Sequence, residues 1–366
     1  MIKGTHNGCG DQTGEHDINS KRPLQRSILS FYRRQVSVLF LVLGVTALVF
    51  AQPRDRGPQM RKHTVTRAGS VRLVPATKRP QAKNHHSIRI IKGERVLGSN
   101  GIPAHLVGAF PNSGNPHTIT EQNYDFKIPA DPEPANRVSP VHYDQGTSGP
   151  PNRPLGIALN GVLFDPGTAE FWNGDRDANW NYEALGGSID LGLDDNHAHV
   201  QPTGAYHYHG LPTKYLAELG VSRNRHSPQV GWAADGFPIY ALYGYKDPRD
   251  PSSQVVEMTS SYRLRSGKRP SGKAGPGGKY DGAFLRDYEF ARGRGTLDEC
   301  NGRFCVTPEF PNGTYAYFLT NKWPVVPRNF RGTPAELRSE NRGQQGKRRD
   351  GRRPPGVGDD HPKKLY

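Results

Sequence analysis

Apolar positions along the chain fall in short stretches, not in helical stripes. Between about residues 87 and 330, runs such as Ser87–Ile91, Tyr124–Ile128, Ile157–Leu159, Gly161–Phe164, Phe237–Tyr243 and Thr314–Thr320 alternate with Gly, Pro and Asn. Thr314-Tyr-Ala-Tyr-Phe-Leu-Thr320 is rich in strand formers and follows the turn signal Pro311-Asn312-Gly313. Leu159-Asn160-Gly161-Val162 reads as a hairpin turn between two strands. One short helix is expected from Thr213 to Leu219, with Gly220 as its stop. Short strands at close spacing with little helix predict an all-β fold, a loop-rich β-sandwich or barrel-like domain with at most one or two short helices.

One apolar run breaks this pattern. Residues 36–50, VSVLFLVLGVTALVF, follow Arg33-Arg34 and precede Ala51-Gln52-Pro53. As a helix they span roughly 22 Å, short of the roughly 30 Å hydrocarbon core. A secretory signal peptide cleaved after Ala51 is the expected reading, and an uncleaved N-terminal membrane anchor is the alternative. The expected organisation is an N-terminal extension with signal peptide (1–51), a basic linker (52–86), a folded domain (87–330) and a basic disordered tail (331–366). Location in the periplasm, cell envelope or outside the cell follows.

Composition supports that division. Gly (43) and Pro (32) exceed a fifth of the 366 residues, which disfavours a helical bundle. The net charge of +15 suggests nucleic acid, but its distribution argues otherwise. Residues 1–100 carry 18 basic and 5 acidic side chains, residues 101–330 carry 21 and 24, and residues 331–366 carry 10 and 5. The folded part lacks the basic excess that phosphate neutralisation needs, so no specific nucleic-acid partner is expected. Cys300 and Cys305 flank the turn Asn301-Gly302 and form either a disulfide or a pair of buried thiols.

Candidate chemistry concentrates in His197-Ala-His199-Val-Gln-Pro202-Thr203-Gly204-Ala-Tyr206-His207-Tyr208-His209. Residues two apart on a strand share a face. Hairpin partners have numbers of constant sum. A sum of 405 puts the two His pairs on opposite faces. A sum of 406 opposes His199 to His207 and His197 to His209, and all four imidazoles share one face. The loop favours the second register: it leaves Pro202-Thr203-Gly204 between Gln201 and Ala205, with Pro preset for a turn and Gly free to enter the left-handed region. Cβ atoms of opposed residues lie about 4.5–5.5 Å apart, so three or four nitrogens can reach one ion at roughly 2.0–2.1 Å. The expected cofactor is a transition metal ion, copper or zinc before others, held by His197, His199, His207 and His209. His105, His226, Asp195 and Asp235 are candidates for additional or supporting roles, along with Asp194 and His142. Tyr206 and Tyr208 point to the other face, toward the core. Asp175-x-Asp177-x-Asn179 lacks the Gly and Glu of a calcium loop and reads as a polar turn.

At Tyr206-His207-Tyr208-His209 the chain resembles the YHYH-domain family of bacterial exported proteins. The resemblance extends through Asn100–His105, Val107–Asn112, Leu155–Gly161, Ala169–Trp172, Gly204–Pro212, Asp235–Tyr240 and Thr307–Tyr315, about Ile88 to Thr320 in all. It implies export and agrees with the leader; the metal reading comes from the hairpin. Two functions compete. One is an exported metal-binding domain, with metal-dependent catalysis as an extension. The other is a non-catalytic module for an envelope component, carbohydrate or protein, in which the His/Tyr hairpin is structural.

Overall fold

The computed structural model describes residues 62–142 and 153–337. The expected leader with its apolar run and residues 338–366 of the expected tail lie outside the described residues. No helix among the described residues is long and apolar enough to cross a membrane.

The chain is built from short strands: β1 (His86–Ile91), β2 (Glu94–Ser99), β3 (Tyr124–Pro129), β4 (Pro134–Pro140), β5 (Gly156–Ala158), β6 (Leu163–Phe164), β7 (Ala198–Val200), β8 (Tyr206–Tyr208) and β9 (Gly231–Ala233). β10 (Pro238–Ala241), β11 (Tyr243–Tyr245), β12 (Val255–Glu257), β13 (Tyr262–Leu264), β14 (Tyr288–Phe290), β15 (Gly302–Cys305), β16 (Thr314–Leu319) and β17 (Asn329–Gly332) follow. One α-helix is described, α1 (Thr213–Glu218), where the sequence places it. The all-β, loop-rich class holds.

An eight-stranded sheet in the order β15-β16-β10-β9-β5-β6-β8-β7 is the frame. It is mixed: β10 runs parallel to β16 and β6 to β8, and the other pairs are antiparallel. It is open, with β15 and β7 at its edges, and does not close into a barrel. Alternation along β16 feeds two cores. Tyr315, Tyr317 and Leu319 enter the main core on one face, while Ala316 and Phe318 pack with Tyr240, Met258 and Leu297 on the other. Cys300 belongs to the first cluster and Cys305 to the second, and both thiols are free. Opposite placement across one sheet keeps the sulfurs from bridging.

The expected turns are present. β5 and β6 pair through Asn160-Gly161, with Ile157 opposite Leu163. β3 shows the two-residue period: Tyr124, Phe126 and Ile128 are buried and Asp125 and Lys127 exposed.

Residues 62–85, expected as linker, lie against the domain. Val74 and Lys78 form bridges with Asp194 and Val107. Ala68, Val71 and Leu73 pack on a third cluster around Trp180, Tyr182 and Phe284, while Arg72, Lys78 and Arg79 stay exposed. Small apolar residues spaced among basic ones supply the contact, and the charges remain in water. At the other end, Phe330 and Leu337 are buried in the main core, so the packed chain continues past the expected start of the tail.

The hairpin of β7 and β8 pairs Ala198 with Tyr208, His199 with His207 and Val200 with Tyr206. This is the register that the loop predicts. Gln201 N–H donates to Ala205 O at 2.9 Å and Gly204 N–H to Gln201 O at 2.8 Å. Gly204 has φ +84°, and a Cβ there would come within 1.8 Å of Thr120 Oγ1. Gly204→Ala should lose about 1–2 kcal/mol from the left-handed backbone alone, with the Thr120 contact adding to it. Urea unfolding measures this; a loss below about 0.5 kcal/mol would mean that the loop does not depend on this glycine.

Candidate metal centre

On the face that carries His199, His207 and His209, the His199 ring meets the Leu191 carbonyl. Their ring nitrogens include one from each residue, all within 4.8 Å of one another. Ring centroids lie 4.6–4.8 Å apart, so the three imidazoles form a nearly equilateral group. His207 and His209 are buried; His199 keeps some exposure at the rim, although its ring is enclosed by its two partners and Leu191.

Backbone carbonyls orient the rings. His199 Nδ1–H donates to Leu191 O at 2.8 Å, and His207 Nδ1–H to Ala205 O at 3.2 Å. Each bond leaves Nε2 as a bare lone pair. His207 Nε2 and His209 Nε2 are 2.9 Å apart. Without a cation, His209 must donate its Nε2 proton to His207, which strands its own Nδ1. That atom has no hydrogen bond of good geometry, although the Pro166 carbonyl lies close enough to oppose the lowering of its pKa. Were a cation held here, His199, His207 and His209 would each offer an Nε2 lone pair, and the His209 proton would sit on Nδ1, beside the Pro166 carbonyl. The donor set fits a late first-row metal ion.

Burial holds all three rings neutral. It pushes His199 down to about 3, with His207 adding to the effect. It pushes His207 down to about 4. His209 lies well below the usual imidazole range for the same reason, reinforced by His207 and His199.

His197 stands apart. Its φ is +51°, so the strand alternation ends at Ala198 and the ring swings out of the group. Its backbone keeps the register, accepting from His209 N–H at 2.8 Å, but its Nδ1–H donates to Leu211 O at 2.8 Å. Four imidazoles were expected on one face; three meet there.

The tyrosine face is a closed polar network. Tyr206 OH donates to Asp194 Oδ2 at 2.7 Å, and Gly108 N–H donates to the same oxygen at 2.9 Å. Tyr208 OH donates to His105 Nε2 at 2.6 Å and accepts from Asn160 Nδ2 at 2.9 Å. His105 Nδ1–H is committed to Leu106 O at 2.8 Å, which fixes the tautomer. His105 and Asp194 therefore anchor the hairpin from behind and do not reach the three imidazoles. Asp195 accepts from Ala76 N–H at 3.0 Å. Asp235 accepts from Tyr317 OH and Gly332 N–H at 2.5 and 2.8 Å, and His226 lies in an aromatic box of Tyr240, Tyr245 and Phe318. Neither joins the group.

Some neighbours have no signal in the local sequence. Arg328 and Glu183 form a buried ion pair at 2.8–2.9 Å, and Arg328 also donates to Pro166 O at 2.7 Å, the carbonyl beside His209. His117 acts on His199 from a loop that Asn115 ties to Val200 O at 2.9 Å. Only tertiary structure brings these residues to the hairpin.

The family model described as YHYH protein matches residues 125–332, more than half of the chain. The chain belongs to the YHYH family. No curated protein and no solved structure matches it. The YHYH match begins after His105 and Gly108, yet both bond directly to groups on the tyrosine face.

These neutral rings set a pH dependence. They are neutral in the fold and ordinary in the unfolded chain, so unfolding takes up protons below about pH 6.5. Their contribution to stability is complete above that pH and is lost as pH falls toward about 4 for His207 and about 3 for His199. Buried His105 and His226 act in the same direction, and Asp194, Asp235 and Asp298, raised by burial, act against it. His207→Gln isolates one ring. With metal chelated, the parent should lose about 1.4 kcal/mol per pH unit more than the variant between about pH 6 and 4.5, read from urea midpoints. Parallel curves would show that His207 is not held neutral.

Proposed function

We propose that this YHYH-family chain is an exported domain that binds a transition metal ion through Nε2 of His199, His207 and His209. The observation behind the reading is the convergence of three imidazole nitrogens within 4.8 Å, two of them with their other nitrogen committed to a carbonyl. Copper and zinc suit such a donor set, and oxygen-seeking calcium or magnesium does not. Export is supported by the apolar run 36–50 after Arg33-Arg34 and by the family's occurrence among exported proteins. The reading stops at binding, because among the described residues no carboxylate joins the three nitrogens as a base.

A second reading has its own observation. The His207–His209 contact at 2.9 Å is satisfied as an N–H···N bond with no ion, which would make the hairpin a structural element of an envelope, carbohydrate or protein-binding module. Elemental analysis separates the two. Untagged protein equilibrated with copper and zinc and then dialysed should retain about one equivalent of metal. His207→Ala and His209→Ala should each lose most of it. Metal at one hundred times its Kd should raise unfolding free energy by about 2.7 kcal/mol in the parent and not in the variants. Metal content unchanged by both substitutions would leave the structural reading standing.

A further inference from the structure

The converging nitrogens are neutral and enclosed. Nδ1–H of His199 and of His207 each donate to a carbonyl, which has no capacity to take the proton, so neither ring becomes an anionic imidazolate. His207 and His209 are 2% and 1% exposed, and of the three only His199 reaches the surface. An ion held here is separated from bulk water on most sides.

Among the described residues no carboxylate or thiol joins the three nitrogens within 4.8 Å, and the buried Asp165 carboxylate, just past β6, accepts from Gln201 Nε2 at 3.2 Å. Arg328, which donates to Pro166 O beside His209, is itself a cation, and its guanidinium is held by Glu183 at 2.8–2.9 Å. Asp194, close in sequence, faces the other side and is occupied by Tyr206, Gly108 and Asn196. The thiols of Cys300 and Cys305 belong to other clusters.

The cost of moving an ion into a low-dielectric interior grows with the square of its charge, so a divalent ion costs about four times as much as a monovalent one. A divalent ion would need an accompanying anion, such as hydroxide, in an enclosed space. A monovalent d¹⁰ ion satisfied by three nitrogens needs none. Resting on the metal reading above, we propose that the His199–His207–His209 site is a Cu(I) site, holding copper in its monovalent state with three neutral imidazoles and no anionic ligand.

Competition titrations on the untagged full chain test this. Cu(I) is titrated anaerobically against bicinchoninate, Cu(II) against an aminocarboxylate chelator, and Zn(II) against a chromogenic indicator. One equivalent of Cu(I) should bind at least about 100-fold more tightly than Cu(II), equivalent to raising the bound couple by about 118 mV over the aqueous one. His207→Ala and His209→Ala should abolish the Cu(I) site. His199→Asp, at the exposed rim, adds an anion and should narrow the Cu(I)/Cu(II) preference at least tenfold while the fold persists. Cu(II) or Zn(II) bound as tightly as Cu(I), and lost in the same variants, would overturn the monovalent proposal and leave the metal reading standing. No binding of any of the three ions, or binding indifferent to His207 and His209, would overturn both.

Discussion

The pairing of His199 with His207 governs the site. Strand residues have only two faces available, so one register assigns every side chain of β7 and β8. In the observed register imidazoles meet on one side and phenols on the other. A slip of one residue would pair His199 with Tyr206 and divide the histidines between two unrelated surroundings. The Pro202-Thr203-Gly204 loop prevents the slip, because only a left-handed third position closes it and Gly204 takes that position at φ +84°.

The two faces then solve the problem of buried polar groups differently. On the tyrosine face each hydroxyl finds both a donor and an acceptor or a carboxylate, and the network is saturated. A saturated network rigidifies a hairpin and gives it no remaining valence. On the histidine face two carbonyls accept hydrogen bonds from Nδ1–H and leave lone pairs on Nε2, with His209 Nδ1 lacking a hydrogen bond of good geometry. A buried unsatisfied nitrogen is costly by about 1–3 kcal/mol. One side of the hairpin is thus finished as structure, and the other retains binding capacity.

Much of this was legible in the sequence because it depends on local rules. The period of two, the Asn-Gly and Pro-Thr-Gly turns and the short helix at Thr213 are all decided within a few residues, and they gave the fold class and the hairpin register. His197 was misplaced by the same logic. Strand alternation predicts it on the shared face, but the chain turns at Asp194, where Asn196 and His197 N–H close onto the Asp194 side chain and carbonyl, and φ at His197 becomes positive. That turn serves the tyrosine face, since it delivers the Asp194 carboxylate to Tyr206. Residues 62–85 were illegible for a different reason. Their apolar residues are small and scattered, and only the cluster they cover shows that they belong to the domain.

The same coupling explains why the centre depends on more than the YHYH motif. β7 is an edge strand, and an exposed edge invites pairing with foreign chains. Residues just before it are instead tied to Val74, and the loop holding Leu106 and Gly108 bonds to Asn196 and Asp194. These ties come from segments that precede residues 125–332. Without them, Tyr208 would lose His105 and Asp194 would lose a backbone donor, leaving buried polar groups behind the histidines. The carbonyls of Leu191 and Ala205 orient two of the imidazoles, but the strands that set them 4.6–4.8 Å apart are held by those ties. Their geometry is maintained from the opposite face of the sheet, so a group that looks like a four-residue motif is a property of the whole packed chain from residue 62 onward.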